Sequence, residues 1–406
     1  MSSIRSPLQT KIASSLIAII LTICFIAINR ASAVGLAPEG FRKGSITFFP
    51  AISVSETYND NIYLEPDTSN NKTDSWINNV APRLKAKIEF GKHDLSMSYS
   101  SAFGTYHSSP KDNYNDHSIG SSLKLNLSRR LGLDINVGKK WGHDAKGSND
   151  AIDSTNPNEH INNSFGINII AGNNDSRGRL EIGTKYYDLD YVNNPATTVN
   201  LEHSNLTSNA TFFWQIMPKT SLLTGIDIKD YNYSSAGTTL DSTNIFYYGG
   251  FNWELTGKTE CKVKLGYTEK KYDDNTKNNF SGLSWDASAS WAPLLHSKFI
   301  LKTVSSIHES TGLGDYIAKK DLSLKWDHNW SDVLFTKTSA TIVELDYKGD
   351  GSNREDGNYI FGANVGYKFN RWGLVILGYD YIERSSNVNT NDYELNKFML
   401  KYTLEM

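Results

Sequence analysis

"SLKLNLSRRLGLDINVG", residues 122–138, decides the fold. Before Arg129-Arg130, the side chains of Leu123, Leu125 and Leu127 fall on one side of an extended chain and those of Lys124 and Asn126 on the other. After it, Leu131, Leu133, Ile135 and Val137 oppose Asp134 and Asn136. Successive side chains of a strand point to opposite faces, so each run offers one face to lipid and one to water. Paired runs of this kind recur nine times along the chain, and such dyad repeats build membrane-spanning β-barrels. A soluble antiparallel sandwich also alternates and is the competing reading.

The N-terminus favours export. Arg5 and Lys11 precede the apolar run Ile12 to Ile28, and Ala31-Ser32-Ala33 supplies small residues at its exit. Residues 1–33 therefore read as a signal peptide cleaved after Ala33, leaving 34–406 as one outer-membrane β-barrel domain. Cys24 follows Ile23, which is too large for a lipoprotein site. The mature segment contains no apolar run near the roughly 20 residues that a spanning helix needs, and the mean hydropathy of the chain is −0.44. That excludes a helical membrane protein and suits a water-filled barrel, in which only alternate residues meet lipid. Leader removal leaves Cys261, expected singly on the lipid face beside Val263, so neither a disulfide framework nor a cysteine metal site is expected. It also takes the formal charge from −3 to about −6, and nothing points to nucleic acid.

Tight turns are expected near Gly91-Lys92, Arg129-Arg130, Asn173-Asn174, Pro218-Lys219, Gly257-Lys258, Leu295-His296, Ser331-Asp332 and Asn370-Arg371. Long polar loops fall at 59–75, 107–115, 144–158, 192–200, 234–241, 273–279, 311–315, 348–357 and 387–391. Together these connections predict an all-β, antiparallel, up-and-down transmembrane barrel of about 18 strands, with its short turns in the periplasm. Trp214, Trp253, Trp291, Trp330 and Trp372 lie beside short turns, whereas Tyr58, Tyr106, Tyr191, Tyr231, Tyr272 and Tyr347 border long loops, which reads as two interfacial girdles. The last strand alternates Phe398, Leu400, Tyr402, Leu404 and Met406 against Lys397, Met399, Lys401, Thr403 and Glu405, an assembly signal that ends on Met where an aromatic is usual. Bulges are expected in "FTKTSATIVELDY" (335–347) and "GLVILGYDY" (373–381), whose alternation is imperfect.

"FFPAISVSETYNDNIYL" (48–64) joins a proline-led first strand to a Tyr-Asn-Asp-Asn corner, and "DNYNDHSIG" (112–120) repeats that theme. With "NNVAPRLKAKIEFGKHDLSMSYS" (78–100) between them, the chain resembles the putative β-barrel porin 2 family, the EpsL-like barrels associated with exopolysaccharide biosynthesis. The resemblance spans the mature chain, with its sharper motifs in the first third. It implies an outer-membrane barrel serving polysaccharide secretion.

Chemistry-bearing motifs are absent from the sequence. The nine histidines share no motif, and neither a G-x-S-x-G elbow nor an H-E-x-x-H pair occurs. The acidic stretches "YNDN" and "DYKGDGSNRED" lack the twelve-residue calcium-loop pattern, so no catalytic residue, metal or cofactor is expected. The informative charges lie opposite the lipid phase. Arg83, Lys85 and Lys87 alternate with Leu84, Ala86 and Ile88, and Lys262 and Lys264 with Val263 and Leu265. Lys124, Lys302, Lys325 and Lys368 complete the candidate lumen-lining set, with Lys185, Lys397 and Lys401 in comparable positions. Acids on the same face include Glu89, Asp94, Asp134, Glu181, Asp227, Glu254, Asp286 and Asp321. These charges either pair across strands and hold the interior together, or form a mildly cationic lumen that eases an anionic solute through.

The expected function is a conduit for exopolysaccharide export across the bacterial outer membrane. The alternatives are a general, anion or sugar diffusion porin and, third, an enzymatic barrel. Expected partners are outer-membrane lipid, a polysaccharide, separate periplasmic and inner-membrane secretion components and the barrel-assembly machinery.

Overall fold

A computed structural model describes residues 39–406, apart from 70–71, 146–155, 174, 236, 311–313, 350 and 352. The expected leader and its cleavage site lie outside the described residues. After a short strand β1 (Phe41–Lys43), the chain runs through β2 (Ile46–Asn59), β3 (Ser75–Phe90), β4 (His93–Tyr106), β5 (Tyr114–Asn126), β6 (Leu131–Asp144), β7 (Asn158–Ala171), β8 (Gly178–Tyr191), β9 (His203–Met217) and β10 (Thr220–Tyr233). It continues as β11 (Ser242–Thr256), β12 (Thr259–Tyr272), β13 (Phe280–Leu294), β14 (Ser297–Glu309), β15 (Tyr316–Asn329), β16 (Leu334–Lys348), β17 (Glu355–Asn370), β18 (Gly373–Ser386) and β19 (Tyr393–Glu405). Each of the eighteen strands β2–β19 pairs antiparallel with its sequence neighbours, and β19 returns to β2, so the sheet closes without a free edge. Closure pairs the backbone of every barrel strand on both sides, which the hydrocarbon core demands. Helix among the described residues is confined to one turn at Pro195–Thr198 and two 3-10 turns.

The register sorts the faces. Pro50, Leu84, Tyr99 and Ile119 form one cross-strand row, and the last three are 43%, 44% and 51% exposed on the outward, apolar surface. Ala51, Arg83, Ser100, Ser118 and Lys140 form the adjoining inward row. With strands of 13 to 16 residues, each run exceeds the ~9–11 residues that cross a bilayer, so several residues stand clear of the apolar band. Cys261 falls on the outward set, in register with Trp253 and Ala289; the other cysteine, Cys24, is outside the described residues.

Two expectations change. The pairing of β15 with β16 and of β16 with β17 runs without a register shift, so 335–347 carries no bulge. Shifts occur instead at short-turn ends, at Thr220/Ser221, Trp253/Thr256, Trp291/Leu294 and Lys368/Asn370, the last facing the start of β18. Strands tighten their twist where they enter a two-residue turn, and the extra residue is absorbed there. The tyrosine girdle also differs. Of the six tyrosines read as an outer belt, Tyr58 faces outward, whereas Tyr106, Tyr191, Tyr231, Tyr272 and Tyr347 fall on the inward rows. Nearness to a loop does not settle a face; parity along the strand does. Trp76, Trp141, Tyr186 and Tyr247 stand exposed on the outward surface near that end.

The seam between first and last strands is staggered. β19 pairs with β2 from Lys397↔Asn59 to Glu405↔Ala51, leaving the start of β2 and the start of β19 uncovered. β1 covers the first gap by pairing with Ile46–Phe48. The loop 60–74 covers the second. Asp60 Oδ1 accepts the Asn396 N–H at 2.7 Å and Asp60 Oδ2 the Asn396 side-chain amide at 2.8 Å. Asn61 Nδ2 donates to the Glu394 carbonyl at 3.2 Å, and Asp67 Oδ1 accepts the Glu394 N–H at 3.1 Å. The Tyr-Asn-Asp-Asn corner thus serves as a side-chain substitute for a strand edge.

Candidate functional site

The inward face divides into two tiers. All nine candidate cations lie at or below the middle of their strands, toward the short turns, on the inward rows that contain Ala51, Asp134, Asp286 and Ser339. Four have acidic partners. Arg83 Nη2 lies 2.5 Å from Glu405, Lys87 Nζ 2.5 Å from Glu89 and 3.6 Å from Asp94, Lys262 Nζ 2.7 Å from Glu260, and Lys302 Nζ 3.8 Å from Asp286. These pairs are solvent-exposed, a setting in which an ion pair contributes about 0–1 kcal/mol. The other five, Lys85, Lys124, Lys264, Lys325 and Lys368, have no ion pair within 4 Å among the described residues. Lys124 stands in register with both Asp94 and Asp134 without reaching either, and Lys264 lies over the Tyr248 ring at 4.2 Å. Pairing, across strands for Arg83, Lys87 and Lys302 and along β12 for Lys262, therefore accounts for part of the belt and leaves a cationic remainder.

Near the long loops the inward face is packed. Lys270 is fully buried, with Glu309 Oε1 at 2.6 Å and Ser242 Oγ at 2.8 Å, between the rings of Tyr231 at 5.0 Å and Tyr272 at 4.9 Å. Tyr233 O–H donates to the same Glu309 at 3.1 Å. Tyr233 ends β10 and Glu309 ends β14, so three strands separate them and both side chains must reach inward over the lumen to meet. At the long-loop end of β16–β19, Arg354 of the loop before β17 grips buried Asp356 through two bonds of 2.9 and 2.5 Å and covers the Tyr347 ring at 4.3 Å, and Arg384 covers Tyr393 at 4.8 Å. Each cation is matched by a carboxylate or a π face, as desolvation requires. In the loop 60–74, Tyr63 O–H donates to Asp112 at 2.6 Å; burial first, and then that carboxylate, push its phenol above the ordinary range.

A third feature interrupts the belt. The inward face of β4–β9 carries a recess of about 620 Å³ lined by Ser, Gly, Thr and Asn residues together with Val137 and Ile167, with Lys185 as its one charge. Sequence reasoning passed over the packed tier and the recess: it assigned the tyrosines by distance from loops, and it followed charge where the recess is marked by its absence. The signal was present in the inward parity of Gly120, Gly138, Gly166 and Gly183, a glycine on four successive strands. Among the described residues, no group of three His, Cys, Asp or Glu is placed to hold a metal.

A family model described as putative beta-barrel porin 2 matches residues 35–406. OpdK of Pseudomonas aeruginosa, solved with vanillate, is similar in structure, with a TM-score of 0.51, 10% identity and coverage of 88% of this chain and 99% of that one. A BenF-like porin from Pseudomonas fluorescens Pf-5 gives a TM-score of 0.51 at 11% identity, covering 88% and 99%. OccAB4 of Acinetobacter baumannii gives 0.50 at 14%, covering 88% and 98%. At these identities the likeness is one of fold. No curated protein matches the chain.

Proposed function

This chain belongs to the putative beta-barrel porin 2 family and is a porin-type β-barrel of the bacterial outer membrane, and on that footing we propose that it is a passive diffusion channel for small anions or sugars. The observation that carries the reading is the set of five inward lysines without ion pairs. Unpaired positive charge set round the lumen on β3, β5, β12, β15 and β17 lowers the electrostatic barrier for anions, and a barrel of this strand number encloses an aqueous channel. The fit of the fold to OpdK, solved with a small carboxylate, supports the same reading.

Exopolysaccharide export rests on the family resemblance alone. A polymer would have to thread the long-loop end, where the Lys270 and Arg354 clusters occupy the inward face, and separate periplasmic and inner-membrane components would have to deliver it. The barrel-assembly machinery would insert the chain, reading the amphipathic β19.

The test is the reversal potential of the purified protein in a planar bilayer under a KCl gradient. Wild type should favour anions, and Lys85→Glu/Lys325→Glu/Lys368→Glu should shift the preference toward cations at low salt. An unshifted potential in a folded triple variant would refute the role of the belt. Retention of polymer in a deletion strain, with small-solute uptake unchanged, would restore the export reading.

A further inference from the structure

The recess on β4–β9 is built rather than left over. Lys185 stands in register with Gly166 on β7 and Thr207 on β9, and its stem passes 3.8 Å from the point where a Cβ on Gly166 would sit. A Cβ on Gly183 would come within 2.6 Å of Asn209 Oδ1 and 3.1 Å of Asn168 Oδ1, and one on Gly138 within 3.0 Å of Ser164 Oγ. The glycines are what allow these amides and the hydroxyl to lie flat against the wall and leave it concave. Among the described residues, the side chains of Asn136, Ser164, Asn168, Thr207 and Asn209 make no hydrogen bond to another protein group, and Lys185 has no ion pair.

The chemistry of this set is narrow. No carboxylate lines the recess, which removes metal and polycation binding, and no aromatic ring lines it, which removes a flat apolar solute. What remains is one ammonium beside several neutral donors and acceptors, with Val137 and Ile167 as the apolar part of the lining, in a volume within the ~300–1,000 Å³ of small-molecule sites. We propose that the recess binds an acidic sugar, a uronate free or within an oligomer, with its carboxylate on Lys185 Nζ and its hydroxyls on Asn168, Asn209 and their neighbours. This deepens the anion-or-sugar reading and rests on it: both properties reside in one solute, held on one wall.

Glucuronate, with glucose and acetate as partial probes, tests the assignment. In planar bilayers, glucuronate should reduce the single-channel KCl current with a saturable midpoint, whereas glucose and acetate at equal concentration should not. Lys185→Gln should raise that midpoint about tenfold, the loss of one charge-assisted contact, while Lys185→Arg should keep it within about threefold. Heat-shifted gel mobility reports whether each variant is folded. Equilibrium dialysis of glucuronate against the detergent-solubilised barrel gives the same comparison without conduction. An unchanged midpoint or dissociation constant in Lys185→Gln, or glucose binding as well as glucuronate, would show the recess to be a hydrated wall only. Wild type that conducts with anion preference but ignores glucuronate overturns this inference alone; wild type that does not conduct overturns the channel reading instead.

Discussion

Asp60→Ala should loosen the barrel at its seam. The carboxylate accepts two hydrogen bonds from Asn396, at 2.7 and 2.8 Å, at a point where no strand edge is available to replace them. Hydrogen bonds to a charged group contribute roughly 1.5–3 kcal/mol each, and half-burial argues for the lower value, so the loss should be about 3 kcal/mol. The Asn396 N–H, left facing a gap, supplies about half of it. Asn396→Ala removes the side-chain bond to Asp60 and also the one that Asn396 Oδ1 accepts from the Tyr379 hydroxyl at 2.8 Å, so it should cost about 2.5 kcal/mol, and the double variant should cost less than the two single losses together by about 1.5 kcal/mol, the shared bond. Urea titration in lipid vesicles, followed by tryptophan fluorescence, measures all three. Asp175→Ala, on the turn between β7 and β8, is the control and should stay within about 0.5 kcal/mol of wild type. A midpoint for Asp60→Ala equal to that of the control would show that the backbone pairs of β19 and β2 close the barrel unaided.

Glu309→Gln should destabilise by about 3–5 kcal/mol, because it leaves the buried Lys270 ammonium without its counter-charge, and Lys270→Met in the same background should recover much of the loss in the same titration. Gly183→Ala should cost about 1 kcal/mol by displacing the Asn209 and Asn168 amides, and should weaken glucuronate binding in dialysis. A cysteine placed at Asn193 should react with an impermeant maleimide on intact cells, whereas one at Lys219 should react only after lysis; the reverse pattern would invert the barrel. N-terminal sequencing of outer-membrane protein should begin at Val34, and recovery of Met1 would refute cleavage.

Strand placement was legible because its cause is local. "SLKLNLSRR" shows both faces of β5 within nine residues, and the polar breaks that end each run mark all seventeen connections between the barrel strands to within a few residues. The face that each side chain takes also follows from parity, which is why Arg83, Lys85 and Lys87 could be assigned to one face without a partner strand in view. The bulge read into 335–347 was misplaced because bulges answer to turn geometry, and the uneven alternation there is simply a strand whose two faces are of similar polarity. The ion pairs of Arg83 with Glu405, and of Lys270 with Glu309, join residues 322 and 39 positions apart, and no periodicity records which acid reaches which base. The recess was the hardest feature to see, since glycine in a strand ordinarily reads as weakness rather than as room.

Asp60 and Asn396 are 336 positions apart. Bringing chain ends together grows dearer only slowly with length, by about 0.6 kcal/mol per doubling, so closing this contact costs about 2 kcal/mol more than closing a 30-residue hairpin. A growing sheet can recover each earlier cost at once, through a full ladder with its neighbour. The last closure has a shortened ladder and recovers the difference through side chains made near the start of synthesis. The loop after β2 therefore acts as a latch that is finished first and used last, and a chain truncated or frayed at Asn396 would present it with nothing to hold. The last strand is thereby held by groups from the other end of the barrel sequence, and a barrel missing β19 would leave Asp60 and Asp67 without the partners they bind there.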